Sequence, residues 1–549
     1  MNQHPRENQN FMDSKTLLAI VLSGVLFMGW NSYLKNKYNM DQPKTAVEKS
    51  AVNSDESTVS QDNDDAAVSS ETAVTNGGQD ATAAATVVET SHAETLISFE
   101  DEYWSFDISS KGMGVKNLRL KKYYNRDKEP KEIGTDHGLL PFATTLTGRS
   151  KPLDFDLKKV GDLAYVGTAE VLGNIITKTI TIDSKTYSFD TKISVSTPNE
   201  NFIGVKTYMA EPLKDTSGGG FLDLNRFDIQ SFFISYGSSE DIEVINKEEP
   251  QVNSYTSVAS VSVGEQYFAQ AFVDKSDVLP DAKTQVDTKS NTALAMIDYP
   301  LINKNKDFNI AYVAYMGPKS LDLLDSVNET LTSIIDFGFF SFIAKPLLHL
   351  LHWFHDMIGN WGFAIILMTL VVRLLVFPLH MSSFKSMKNM SKLSPLIKEI
   401  NEKYKDDPQT KNIKLMEVYK ENKINPIGGC LPMLLQLPVF FALYQVLGQS
   451  IELYQAPFIF WIEDLSLKDP YYVLPVLMGI TMFLQMRLTP STMDEMQKKV
   501  MSFMPIMFTV FMLSLPSGLT LYIFISGLFG IIQQYMIKDR NDAASATAK

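Results

Sequence analysis

The chain has 549 residues, 45% of them hydrophobic, a net charge of −13 and a mean hydropathy of −0.06, so it has room for several domains. Its single cysteine, Cys430, excludes an internal disulfide, and any extracytoplasmic part must be stable through its own core. The averages conceal two unlike halves: residues 41–340 are polar, residues 341–537 are dominated by apolar runs, and residues 41–95 alone hold eleven Asp/Glu against two Lys.

Residues 1–15 are short and polar. Thr16–Leu34 is an apolar run of 19 residues, long enough to span a bilayer, with Trp30 and Tyr33 as interface anchors at its far end. A cleaved signal peptide is the rival reading; the length of the run and the lack of a small-x-small site after it favour an uncleaved anchor. No cysteine follows that would carry a lipoprotein anchor. Residues 41–95, rich in Ala, Thr, Ser and Asp and free of aromatics, bury too little surface to offset ordering and read as a disordered acidic linker.

Over 96–317 the pattern changes to short alternating runs between turn residues. Ile175–Ile182 and Tyr187–Val195 both alternate with a two-residue period, and glycines such as Gly112, Gly114, Gly134, Gly161, Gly173 and Gly218–Gly220 punctuate the rest. This predicts a β-sandwich domain with Trp104, Phe232 and Phe233 in its core, and neither metal-ligand spacing nor a nucleophile constellation is present. Residues 318–358 read as a helical connector that ends in an amphipathic interfacial helix, Phe337–Asp356. His349, His352 and His355 fall at i, i+3 and i+6 there, a weak metal pattern that spreads over about a third of the helix circumference.

Five apolar spans follow, at about 360–379, 428–448, 471–488, 500–515 and 517–537, two of them near the lower length for crossing. The first contains Arg373, a charge that costs roughly 2.5–3.5 kcal/mol in hydrocarbon and faces either a polar interior or, by snorkelling, the interface. Thr369 and Phe377 share its helical face. Gln436 and Gln445, Thr481 and Gln485, Thr509, then Ser526, Gln533 and Gln534 add uncharged polar groups to the later spans, and Pro432, Pro438, Pro475 and Pro505 interrupt them. Helix-to-helix hydrogen bonding is one reading of these groups; a shared water-accessible cavity is the favoured one. Ten lysines in 380–425, against only Lys468 in 449–470, put both termini in the cytoplasm and the β domain outside; the flanks of the first span disagree, with two basic residues before it and four soon after. The loop 382–425 reads as a basic helical hairpin, with Met387, Met390, Leu393, Ile397, Ile400 and Tyr404 at helical spacing, a turn at Asp406-Asp-Pro408, and Ile413, Met416, Val418 and Tyr419 on the second arm. Its methionines make either the hairpin seam or a contact surface for apolar segments.

Several motifs in one order then resemble the YidC membrane protein insertases, in the long form of Gram-negative bacteria: Gly359-Asn-Trp-Gly-Phe363, the span through Arg373 to Phe377-Pro378, Asn425-Pro-Ile-Gly-Gly-Cys-Leu-Pro432, Gln436-Leu-Pro-Val-Phe440, Ala442-Leu-Tyr444, Asp469-Pro-Tyr-Tyr472, Phe503-Met-Pro505 and Leu515-Pro-Ser-Gly518. Gln266-Tyr-Phe-Ala269 and Gly317-Pro318 are weaker matches in the β region. The resemblance implies a multi-domain inner-membrane protein: an N-terminal anchor helix, a periplasmic β-supersandwich of the sugar-mutarotase kind, and an all-α core of five transmembrane helices over 359–537, followed by a short tail, 538–549. It further implies a hydrophilic groove carrying Arg373, with Thr369, Gln436, Gln485 and Tyr522 as substrate contacts; where many relatives have a second tyrosine this chain has Ile523. The cytoplasmic hairpin, through Met387, Met390, Lys385 and Lys388, would make first contact.

The implied partners are nascent and newly made membrane proteins, the lipid bilayer, and the Sec translocon with its accessory subunits. Ribosome docking is a weaker implication, because the tail is short and weakly charged. No enzymatic activity, cofactor, metal or direct nucleic-acid binding is expected, and no Walker motif is present. Two alternatives of other classes stay open: a solute transporter or channel with an anion site at Arg373, and an envelope enzyme acting on saccharides through its β domain.

Overall fold

The alternating runs fold as expected. Asn174–Asp183 (β8) and Ser188–Val195 (β9) pair antiparallel, and Lys178 and Ile180 on β8 point inward between exposed or half-exposed neighbours. In the computed structural model the described residues are 93–125, 128–135, 138–214, 229–247, 250–301, 307–405, 407–422, 431–489 and 495–546, without the side chains of 379, 383, 385, 431–435, 495–498 and 537–546. The expected anchor 16–34, most of the linker 41–95, Gly218–Gly220 and most of the Asn425–Pro432 motif lie outside them, as does the Lys385 side chain.

Eighteen described strands run from Leu96 to Pro318 and pair antiparallel in three sheets. The largest has nine strands, in the order Ser239–Val244 (β12), Ser231–Tyr236 (β11), Val258–Gly264 (β14), Phe268–Asp274 (β15), Phe308–Pro318 (β18), β9, β8, Ala164–Val171 (β7) and Asp156–Lys159 (β6). A five-stranded sheet covers one part of its inner face. Near β9 the cover is a four-stranded sheet that contains Trp104–Ser109 (β2) and Val115–Tyr124 (β3). Trp104 and Phe106 meet Phe189 of β9 with ring centroids 4.8 and 5.1 Å apart, and Trp104, Phe232 and Phe233 are buried as expected. The inner face also holds one fully buried cation. Lys178 Nζ donates to the carbonyls of Gly112, Met113 and Phe142 at 3.0, 3.1 and 2.6 Å, and burial pushes its amine down to about 7.

Beyond β18 the chain is helical. Leu321–Val327 (α1) and a 3-10 turn, Glu329–Ile334, lead to Ser341–Ile358 (α2), which buries Leu347, Leu348 and Leu351 and exposes Phe342, Trp353 and Met357. Trp361–Leu375 (α3) follows directly. Its 15 residues rise only about 22 Å, and the expected continuation to 379 is broken: the chain bends by 58° into Phe377–Lys392 (α4), with Pro378 in the first turn of that helix, where a missing N–H costs nothing.

Ser394–Lys403 (α5) and Pro408–Glu421 (α6) form the expected hairpin, and Asp407 caps α6 by accepting from the Gln409 and Thr410 amides at 3.1 Å each. Its seam is a core of its own, made of Ile397, Ile400, Leu415, Val418 and Tyr419 with Met390, Leu393 and Tyr404 against it. Ile413 and Met416 are exposed, so the second arm is rotated from the face expected, and Leu415 fills the seam instead.

Leu431–Gln449 (α7), Val473–Leu488 (α8), Glu495–Met512 (α9) and Ser517–Ala546 (α10) complete the described helices. Among the described residues only Ser517–Met536 is by itself long and apolar enough to cross a bilayer; Val473–Leu488 and Lys499–Met512 are shorter apolar helices. α10 runs on through most of the stretch expected as a tail.

Candidate functional site

The motif at the start of α3 is a joint. Gly359 ends α2 in the left-handed conformation, at φ 73°, and its amide donates to the His355 carbonyl at 2.6 Å. Asn360 caps α3 by accepting from the Phe363 amide at 3.1 Å, while its own NH2 group donates to the Pro457 and Phe458 carbonyls at 3.2 and 3.3 Å. Gly362 seats the Phe458 ring, which would stand only 2.0 Å from a Cβ there. These contacts tie α3 to the segment 456–472.

The same segment is zipped to the start of α10. The Ser517 and Gly518 amides donate to the Leu467 and Leu465 carbonyls at 2.7 and 2.9 Å. Asp469 is buried and accepts from Trp461 Nε1, the Tyr471 amide and the Leu474 amide at 2.9, 3.0 and 2.7 Å. The Asp469–Tyr472 and Leu515–Gly518 motifs therefore tie this segment to the start of α10 at one end of the bundle.

Arg373 lies near the other end of α3. Its Nε donates to Ser526 Oγ at 2.7 Å, and Nη2 contacts the same oxygen. Among the described residues no carboxylate lies within ion-pair distance of it. One turn earlier on α10, the buried Tyr522 hydroxyl lies beside Ser526 and accepts from Gln436 Nε2 of α7 at 3.4 Å. His380, on the first turns of α4, lies beside both Arg373 and Gln436. Gln436 is within hydrogen-bonding reach of His380, and further along the same face of α10 Gln533 Nε2 is buried without a partner among the described residues. A buried amide atom with no protein partner costs about 1–3 kcal/mol unless water or a ligand reaches it. α3, α4, α7 and α10 thus surround a polar centre with one guanidinium and donor and acceptor capacity to spare.

The structure brings Arg373, Gln436 and Tyr522 together. Thr369, one turn before Arg373, is fully buried, and its hydroxyl donates to the Ile365 carbonyl of its own helix at 2.6 Å. Gln485 packs on Gly530, one turn along α10 from Ser526, where a Cβ would sit 2.6 Å from Nε2. Thr481 packs likewise on Gly527, at 3.1 Å, and Thr509 of α9 on Gly479 of α8, at 2.1 Å. Gln534 Nε2 donates to Thr489 Oγ1 at 3.0 Å. The uncharged polar groups therefore divide, one set joining helices through glycine contacts and the other gathering around Arg373. On the hairpin side, Met390 packs into the seam and Met387 is half-buried, while Lys388 stands on α4.

Ser526 and His380 carry no site assignment in the sequence reading. Ser526 appears there only as a polar group of the last span, and His380 continues the spacing of Thr369, Arg373 and Phe377 across a bend that hides the relation. The three histidines of α2 part company. His349 Nδ1 is 2.8 Å from the Lys345 carbonyl, His355 stacks on Trp361 with centroids 3.8 Å apart, and His352 lies between two carboxylates. Among the described residues no group of three metal-ligating side chains forms.

Comparison with known proteins agrees with this anatomy. The family described as 60Kd inner membrane protein matches residues 353–544, and the YidC periplasmic domain family matches 158–350. A membrane protein insertase YidC of Geobacter metallireducens is 33% identical over 573 residues, covering 97% of this chain and all of its own. One of Wolinella succinogenes is 50% identical over 235 residues, 43% of this chain and 44% of its own. A crystal structure of an active YidC insertase is 20% identical, covers 81% of this chain and 93% of its own, and superimposes with a TM-score of 0.37. The chain belongs to the YidC membrane protein insertase family, with a β-rich periplasmic domain and a helical C-terminal region.

Proposed function

We propose that the polar centre around Arg373 is a groove that receives the hydrophilic flank of a membrane protein segment and lets the apolar part leave sideways into lipid. The observation that carries this is a partly buried guanidinium without a described carboxylate partner, gathered with Ser526, Tyr522, His380 and the Gln436 amide between four helices. Such groups are costly in a dry bundle and useful in a wet one. α3, α7, α8, α9 and α10 are the five spans of the core, with both termini in the cytoplasm and the β domain in the periplasm. The seal at Asp469 and Ser517 then closes the periplasmic end and leaves Arg373 nearer the cytoplasm. The short α3 and α8 thin the bilayer around the groove.

In this reading the α5–α6 hairpin makes first contact on the cytoplasmic face through its basic surface and the neighbouring Lys385, Lys388, Met387 and Met390. The flank enters the groove, where water and the amides of Gln436 and Gln533 reduce its desolvation, and Arg373 attracts its acidic residues. Burial of the apolar segment in lipid, at about 25 cal/mol per Å², drives release. Gln485 and Thr369 act at the groove's edges, as helix-packing groups beside the path rather than as ligands. The Sec translocon is a partner for larger substrates.

The test is protease protection of single-span substrates with graded flank acidity, in vesicles holding wild type, Arg373→Lys or Arg373→Ala protein. Lys retaining insertion, and Ala losing it in proportion to flank acidity, is expected. Equal insertion of every substrate by the Ala variant would remove the electrostatic role.

A further inference from the structure

Three separate parts of the chain converge on His352 in the middle of α2. Its Nδ1 lies 3.3 Å from Asp322 of α1, the helix that leads out of the β domain, and its Nε2 lies 3.3 Å from Glu452, on the 3-10 turn Ile451–Leu453 after α7. The Trp361 ring of α3 meets the imidazole edge-on with centroids 5.4 Å apart. Asp322 is 68% exposed, whereas Glu452 is only 10% exposed. The same turn is gripped by the β domain. Gln266 Nε2 donates to the Gly448 carbonyl at 2.6 Å, Tyr454 Oη and Gln455 Nε2 donate to the Tyr124 carbonyl at 2.6 and 2.5 Å, and the Tyr124 amide donates to Gln455 Oε1 at 3.2 Å.

We propose that His352 is a proton-operated clasp that fastens the exit of the β domain to the turn leading into the bundle's sealed end. A protonated imidazole places its charge within 3.3 Å of both carboxylates and holds Asp322 and Glu452 as ion pairs on either side of it. A neutral one has a single N–H and leaves the nearly buried Glu452 carboxylate without a cation, which is the costly outcome. The exposed Asp322 contact contributes little by itself.

The other titratable groups nearby keep this the governing pair. Tyr123 of β3 faces Glu452, and burial with that carboxylate holds its hydroxyl up to about 12, so it stays neutral. On α2, His355 stacks on Trp361 and lies 3.8 Å from Asp356. Burial alone would lower the imidazole of His352; Glu452 and then Asp322 outweigh it and raise it above the ordinary histidine value. The clasp is therefore fully closed below that ordinary value, about 6.5, and opens as pH rises through the raised one. The periplasm follows the external medium, so the coupling between the two regions would loosen in alkaline surroundings.

Hydrogen exchange of the full chain in nanodiscs between pH 6 and 9, corrected for intrinsic exchange, tests this at residues 321–327 and 450–456. Wild type should lose protection roughly three- to tenfold across the range, as the Glu452 carboxylate loses its cation. His352→Lys, which keeps its charge, should stay protected throughout. His352→Gln and Glu452→Gln should be uniformly less protected with no pH step, while β8 and β9 amides stay unchanged in all four proteins. A wild-type profile that coincides with His352→Lys, or a step that survives in His352→Gln or Glu452→Gln, would overturn the clasp.

Discussion

Two cations, one fully and one partly buried, show how differently the two regions are built. Lys178 in the β domain aims its Nζ at three backbone carbonyls, and nothing of it remains for a ligand. Arg373 in the helical bundle has five N–H donors and spends its described bonds on one serine hydroxyl, with a tyrosine, a histidine and a glutamine amide beside it. One cation is a rivet. The other has donors to spare, and the proposed groove rests on that contrast.

The contrast breaks if Lys178 is dispensable. Lys178→Met should cost about 2 kcal/mol at pH 7, because three buried carbonyls lose a donor, and native-state hydrogen exchange at β7–β9 would read it. The pH dependence has a definite sign. Burial holds the folded amine at about 7, so between about 7 and the ordinary lysine value of roughly 10.4 the unfolded chain binds more protons. Lys178 therefore adds stability as pH rises through that window, and Lys178→Met should flatten the slope. An equal slope in both proteins would show that the amine is not the group responsible.

A second substitution separates the two polar sets of the bundle. Gly530→Leu should wedge α8 from α10 at Gln485 and destabilise the bundle in detergent by about 1–3 kcal/mol, read as a lowered unfolding midpoint, leaving exchange in the β domain unchanged. Retained stability would mean that Gln485 faces the groove instead. The smallest effect belongs to Ser526→Ala. Loss of the hydroxyl that aims the guanidinium should slow insertion of acidic-flank substrates by about fivefold, roughly 1 kcal/mol, with little change in the midpoint; unchanged insertion kinetics would show that Arg373 needs no aiming.

Much of this anatomy was legible in the chain. A two-residue period in Asn174–Asp183 and Ser188–Val195 leaves little choice but paired strands, and Arg373, Gln436 and Tyr522 stand out as polar groups in apolar runs. The rotation of each helix about its axis is what a single sequence leaves open. Thr369 shares a helical face with Arg373, yet its hydroxyl turns back to Ile365. Gln485, Thr481 and Thr509 stand out as polar groups, but that glycines 530, 527 and 479 lie opposite them is supplied only by tertiary packing. His380 was hidden for a different reason: a bend after Leu375 brings it back to Arg373, and spacing arguments assume a continuous helix. The i, i+3, i+6 histidines of α2 show the same limit from the other side, since their regular spacing resolves into a backbone contact, a ring stack and a bridge between carboxylates.

The central claim, that Arg373 is an unspent charge meant for a substrate, is met most directly by charge reversal on both partners. Arg373→Glu protein in vesicles would be given two versions of one single-span substrate, with either an acidic or a lysine-bearing flank, and insertion scored by protease protection. The account predicts that Arg373→Glu fails on the acidic flank and inserts the lysine-bearing flank better than wild type does. If the variant handles both flanks with the wild-type preference, Arg373 is not read by the substrate and the polar centre serves only to hold the bundle together.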